Sequence, residues 1–93
     1  MYYLVTYDII DDKNRKKLSD ILEKYGVRVN YSVFECELNK SKLKRLLEYI
    51  KNQKLYDNRY DSIRFYHICK NCVEKSFELS NRAEVFENME FFI

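Results

Sequence analysis

The chain of 93 residues has no proline and no tryptophan, and only one glycine and one histidine. Without proline, and with Gly26 alone to take strained turns, most of the chain is free to lie in regular helices and strands. Its three cysteines are an odd number, which argues against a disulfide framework and for reduced thiols. No apolar run approaches the length that crosses a bilayer, and nothing at the start reads as a secretory leader. No membrane partner is expected, and the expected location is cytoplasmic.

What is present is a balanced small domain. Apolar residues make up 46% and charged residues 34%, a mixture that supports one core and argues against disorder. Residues 1–93 are read as a single domain. Nine tyrosines and six phenylalanines suggest a core or an interface built from amphipathic rings. The net charge of +2 is unevenly spread. Residues 1–54 carry twelve Lys/Arg against eight Asp/Glu (+4), residues 55–72 three against two (+1), and residues 73–93 two against five (−3). A basic body with an acidic tail suits a polyanion on one surface and a basic partner on another, although a solvated surface of scattered charge reads equally well.

YYLVTY, residues 2–7, reads as a central strand. A helix follows, capped by Asp11 or Asp12, with Leu18, Ile21, Leu22 and Tyr25 as its apolar stripe. Gly26 then suits a left-handed helix C-terminus. VRVN and SVFECEL are strand material, as one kinked strand or two, with Phe34, Cys36 and Leu38 alternating against Glu35 and Glu37. Asn39 or Ser41 caps a second helix striped by Leu43, Leu46, Leu47 and Ile50. LYDNRYD is a polar loop, SIRFYHIC a strand with Ile63, Phe65 and His67 on one face, and VEKSFELS a further strand. The last residues, about 80–93, suit a short C-terminal strand or tail used in dimer or partner contacts. Two striped helices cover one face of a sheet, which gives an α+β, ferredoxin-like βαββαβ sandwich with an additional C-terminal strand. The other sheet face is left bare, and a homodimer pressing sheet against sheet would cover it.

Asp8 interrupts the first apolar run at the carboxyl end of its strand, where ligands gather in open α/β sheets. A two-fold dimer would present two copies of Asp8 to one Mg²⁺ or Mn²⁺ ion. The competing reading is a carboxylate that caps the turn.

The Tyr7-Asp8 pair, the DDKNRKKL helix start and RVNYSVFECEL after a glycine together resemble the CRISPR-associated protein 2 family, the small nucleases of CRISPR adaptation. The likeness extends over essentially the whole chain. It implies a ferredoxin-like homodimer that bridges the CRISPR integrase and binds DNA during spacer acquisition. It also implies a Mg²⁺-dependent endonuclease acting on single-stranded RNA or double-stranded DNA. Position by position, Asp8 matches the catalytic, metal-binding aspartate. Tyr7, Arg15, Lys17, Arg28, Ser32 and Phe34 match positions expected to meet nucleic acid. Lys17 stands where some members have arginine, keeping charge but losing a bidentate fork. Asn30 stands where glutamine is frequent.

Two other groups carry chemistry. His67, Cys69 and Cys72, in HICKNC, look like half of a zinc site, but small apolar side chains in or beside a strand is the favoured reading. Likewise His67 is read as a core or interface residue rather than a general base. Lysines and arginines cluster at both helix starts (Lys13 to Lys17 and Lys40 to Arg45), as backbone contact without sequence readout requires. Three functions therefore compete: a metal-dependent nuclease, a non-catalytic adaptor for the integrase, and a related toxin-type ribonuclease.

Overall fold

The computed structural model describes residues 1–87 and residue 89. Its elements run β1 (Tyr2–Asp8), α1 (Asp12–Leu22), β2 (Gly26–Asn30), β3 (Val33–Glu37), α2 (Lys40–Asn52), β4 (Ser62–Ile68) and α3 (Lys70–Lys75). The four strands form one antiparallel sheet in the order β2-β3-β1-β4. This is the α+β, ferredoxin-like arrangement, with α1 and α2 on one face.

The helices form where the sequence stops them cleanly. Asp11 caps α1, its carboxylate accepting from the backbone N–H of Lys13 (2.8 Å) and Asn14 (3.1 Å). Asn39 caps α2 through the N–H of Lys42 (2.8 Å). Both stripes point inward, so Leu18, Leu22, Tyr25, Leu46 and Ile50 pack with Val5, Tyr7, Phe34, Cys36 and Leu38 from the sheet. Ile21 and Leu43 pack against that core from its margin.

The segment left open as one kinked strand or two is two, β2 and β3, joined through Tyr31-Ser32 with an irregular register at Arg28/Asn30. Other expectations need correction. Gly26 does not close α1 in a left-handed conformation; no glycine has positive φ, and Glu23 is the C-cap in ordinary helical geometry. Gly26 opens β2 instead, and a Cβ there would collide with the Glu35 carbonyl oxygen and lie 2.6 Å from Cys36 Sγ. The glycine is needed for a close approach of strands, not for a turn. Loop residue Leu55 is fully buried in the core, and Lys54 before it takes the positive φ (51°).

The larger correction is VEKSFELS, which forms no strand. Its first residues belong to α3, capped by Cys69, and the backbone from Ser76 onward is irregular. Val73 and Phe77 are four apart, a spacing that fits both an alternating strand and a helical turn. No strand forms over residues 80–87 or at residue 89, and residues 88 and 90–93 of the expected C-terminal strand lie outside the described residues.

Alternation divides β1 between two surfaces. Val5 and Tyr7 enter the helix-covered core, whereas Tyr2, Leu4, Thr6 and Asp8 face the opposite, open side. Cross-strand pairing adds Glu37, Glu35 and Val33 from β3 and Ser62, Arg64, Tyr66 and Ile68 from β4 to that open side. The segment after α3 crosses part of it. The Phe86 ring packs edge-on against Tyr2 (centroids 5.2 Å apart), and the Phe86 N–H donates to Glu35 Oε1 at 2.7 Å. Glu35 is consequently 8% exposed although its alternation pointed to solvent.

Candidate functional site

Asp8 is the last residue of β1, paired across to Ser62 at the start of β4, and is exposed. Its carboxylate has no hydrogen-bond or ion-pair partner among the described residues. The capping reading therefore fails at this position, because other carboxylates hold the neighbouring turns. Asp11 caps α1, and Asp61 accepts from the backbone N–H of Ile10 (3.0 Å) and of Asp57 (2.7 Å), tying the loop after Asp8 to the loop before β4. Asp61 is the site-supporting residue that sequence reasoning missed. Nothing local marks it, since Ile10 lies 51 positions away.

Five of the six residues expected to meet nucleic acid gather on the other side of the sheet. Tyr7, Arg15, Arg28 and Ser32 line a cleft of about 590 Å³ between α1 and the β2–β3 turn. Phe34 forms the layer beneath, stacked on Tyr7 (6.3 Å between centroids) and carrying the Arg28 guanidinium over its face at 5.2 Å. The Tyr7 hydroxyl donates to the Tyr31 carbonyl at 3.4 Å, and burial pushes its phenol up from the usual value. Lys17 is exposed on α1 and does not line this cleft.

The cleft is electrically balanced. Arg15 pairs with Asp12, Lys16 with Asp20 (2.6 Å) and Arg28 with Glu23 (3.6 Å). Arg15 also donates to the Ile9 carbonyl at 2.7 Å, anchoring the loop that follows Asp8. The Arg15–Asp12 and Lys16–Asp20 pairs are spaced by three and four along α1. Exposed pairs of this kind are worth little, roughly 0.2–1 kcal/mol each, so a phosphate could displace the acidic partners. Cations outside the cleft are less committed: Lys40, Lys44 and Arg45 on α2 are exposed and in no ion pair among the described residues.

The cysteine reading changes as well. Cys69 and Cys72 are exposed at the start of α3, whereas Cys36 is buried in the core. His67 is exposed rather than in the core, with its ring stacked on Tyr3 at 5.0 Å. No group of three or more His, Cys, Asp or Glu that could hold a metal ion occurs among the described residues. No helix there is long and apolar enough to cross a membrane.

Comparison with known proteins bears directly on this arrangement. The family model for CRISPR associated protein Cas2 matches residues 1–76, from β1 through α3. The chain belongs to the Cas2 family. Among its relatives is the CRISPR-associated endoribonuclease Cas2 3 of Synechocystis, 53% identical over 64 residues that span 69% of this chain and 67% of the relative. A CRISPR-associated endoribonuclease Cas2 1 of Chloroflexus aurantiacus is 40% identical over 75 residues, 81% of this chain and 80% of the relative. Among solved structures, Streptococcus pyogenes Cas2 superposes with a TM-score of 0.70 at 30% identity, covering 86% of this chain and all of that one. A chain of a partial Cas6-RT-Cas1–Cas2 complex superposes with a TM-score of 0.64 at 41% identity, covering 84% of this chain and 89% of that one. The Cas2 match spans both the Asp8 strand and the residues of the cleft.

Proposed function

We propose that this Cas2 protein works in CRISPR adaptation as a homodimer that joins the integrase and holds DNA, and that it is a metal-dependent endonuclease acting through Asp8. The observation that carries the nuclease reading is the Asp8 carboxylate itself. It is exposed at a strand end, faces the open side of the sheet and has no structural duty. Relatives named as endoribonucleases and an endonuclease support the same activity, and the complex containing Cas1 and Cas2 supports the integrase as partner.

A carboxylate oxygen suits Mg²⁺ or Mn²⁺, but among the described residues of one chain no group of three or more candidate ligands comes together. A second copy packed on the open face would bring a second Asp8, so the donor set fits the metal only in the dimer. When bound, the ion would supply Lewis-acid activation and charge neutralisation at a phosphodiester. The chain's own contribution is to anchor the loop directly after Asp8, through Arg15 on the Ile9 carbonyl and Asp61 on the Ile10 N–H, while the Asp8 side chain has no partner among the described residues. The open face also has the character of an interface. Tyr66 on β4 is 45% exposed, and Phe77 (72% exposed) and Leu79 (91%) line a groove of about 810 Å³ together with Val27 and Val29 of β2. Duplex backbone would then be held by α2 cations such as Lys44 and Arg45, without sequence readout.

The adaptor without catalysis is favoured by one observation, the ion-paired, neutral cleft around Arg15 and Arg28. Sedimentation at micromolar concentration, run alongside cleavage assays on single-stranded RNA and double-stranded DNA with and without Mg²⁺, tests both readings. A dimer with Mg²⁺-dependent cleavage is expected. A dimer that never cleaves leaves the adaptor, and a well-folded monomer overturns the shared site.

A further inference from the structure

The Cas2 reading makes no use of the two exposed cysteines. They stand as Cys69-Lys70-Asn71-Cys72, where the chain leaves β4 for the segment that crosses the open face. Cys69 is extended (φ −68°, ψ 156°) and caps α3, and Cys72 lies one turn on. The fold therefore brings both sulfurs to the same side of that turn. The two sulfurs lie 3.0 Å apart, and the Cys72 backbone N–H donates to Cys69 Sγ at 3.2 Å. No backbone movement is needed to bring these sulfurs into reach of each other.

We propose that Cys69 and Cys72 are a redox-active dithiol, closing reversibly to an intramolecular disulfide by exchange with low-molecular-weight disulfides. The two sulfurs have different roles. The contact with the Cys72 side chain and the hydrogen bond from the Cys72 backbone N–H favour the Cys69 thiolate and hold its pKa below the usual thiol value, while the contact with Cys69 holds Cys72 above it. Cys69 is therefore the attacking sulfur and Cys72 the resolving one. The third thiol cannot compete: Cys36 is fully buried and burial pushes it up to about 12.

The chemistry balances with a disulfide RS–SR as oxidant. The Cys69 thiolate attacks one sulfur, forming a mixed disulfide and expelling RS⁻, which takes up a proton. Cys72 then loses its proton, attacks Cys69 Sγ and expels the second RS⁻, which is protonated in turn. Two electrons and two protons pass from the dithiol to the oxidant, leaving a Cys69–Cys72 bond and two RSH. Closure fixes the first turn of α3.

Oxidised glutathione is the probe. Folded protein incubated with it, quenched by acid and alkylated, should lose two hydrogens in intact mass and two alkylatable thiols. The peptide map should join Cys69 to Cys72, and dithiothreitol should reverse the change. Cys72→Ser should trap a glutathione adduct on Cys69, formed several-fold faster than the adduct on Cys72 in Cys69→Ser. Both substitutions are at exposed positions, and serine retains a capping oxygen at position 69. Equal rates in the two variants, disulfides only between chains, or no loss of hydrogen in folded wild-type protein would each overturn the proposal.

Discussion

The two faces of the sheet differ more than any two other regions of this protein. The helix-covered face is complete within one chain: Phe34, Leu18, Leu22, Leu38 and Leu46 are fully buried there, and their partners are all internal. The open face is unfinished. It carries Asp8 without a partner among the described residues, half-exposed Tyr66 and a buried carboxylate, Glu35, that accepts a hydrogen bond from a segment without regular structure. One face accounts for the fold, and the other carries the groups that the proposed dimer and metal would use. Substitutions on the first should cost stability, and those on the second should change what the protein does.

The largest stability effect is expected at the centre of the closed face. Phe34→Ala removes a ring that touches Tyr7 and supports Arg28, leaving a cavity. It should cost about 3–5 kcal/mol in urea denaturation. A loss under about 1 kcal/mol would mean that the helix-covered layer is not the protein's main source of stability.

Gly26→Ala should come next. The added methyl would collide with the Glu35 carbonyl and crowd Cys36, so β2 must move away from β3. A cost of about 1–3 kcal/mol is expected from such overpacking. If the reason for glycine were a left-handed helix end, alanine would be strained there through its backbone. With φ negative, a compensating Cys36→Ala should relieve part of the cost, which a double-mutant cycle would show.

A smaller and pH-dependent effect belongs to Glu35 on the open face. Burial holds its carboxyl above the ordinary value, an effect partly opposed by the Phe86 N–H. The folded chain thus binds the Glu35 proton more tightly than the unfolded chain. The resulting stability is full below the unfolded value, about 4.3, and is lost as pH rises through the folded value. Glu35→Gln keeps an acceptor for Phe86 and removes that loss. The variant should match the wild type in acid and exceed it at neutral pH by up to about 1 kcal/mol. Thermal melts across that pH range would show the two curves diverging upward in pH; parallel curves would contradict the assignment.

The contrast between faces also explains what could be read from the sequence. Both helix stripes, β1 and the Phe34-Cys36-Leu38 alternation were legible because each obeys one period along a short segment. What the sequence did not reveal depends on distant partners. Gly26 needs the Glu35 carbonyl, Glu35 needs Phe86, and Asp61 needs Ile10. The α3 region was misread because Val73 and Phe77 fit two periods at once, and no local rule chose between them. Asp8 stood out as a candidate because a carboxylate inside an apolar run is locally anomalous. The cleft residues were found by resemblance, but their neutral balance of ion pairs became visible only with the fold. The Cys69–Cys72 spacing was plain in the chain, and the backbone hydrogen bond that distinguishes the two thiols was not.

The most direct measurement of the central claim is Asp8→Asn, assayed for Mg²⁺-dependent cleavage of RNA and duplex DNA beside its melting curve and its sedimentation. Since the carboxylate supports nothing in the fold, the variant should melt within about 0.5 kcal/mol of wild type. It should remain a dimer and keep its salt-sensitive binding to DNA, while cleavage falls to background. A variant that unfolds, or one that cleaves as the wild type does, would contradict the account.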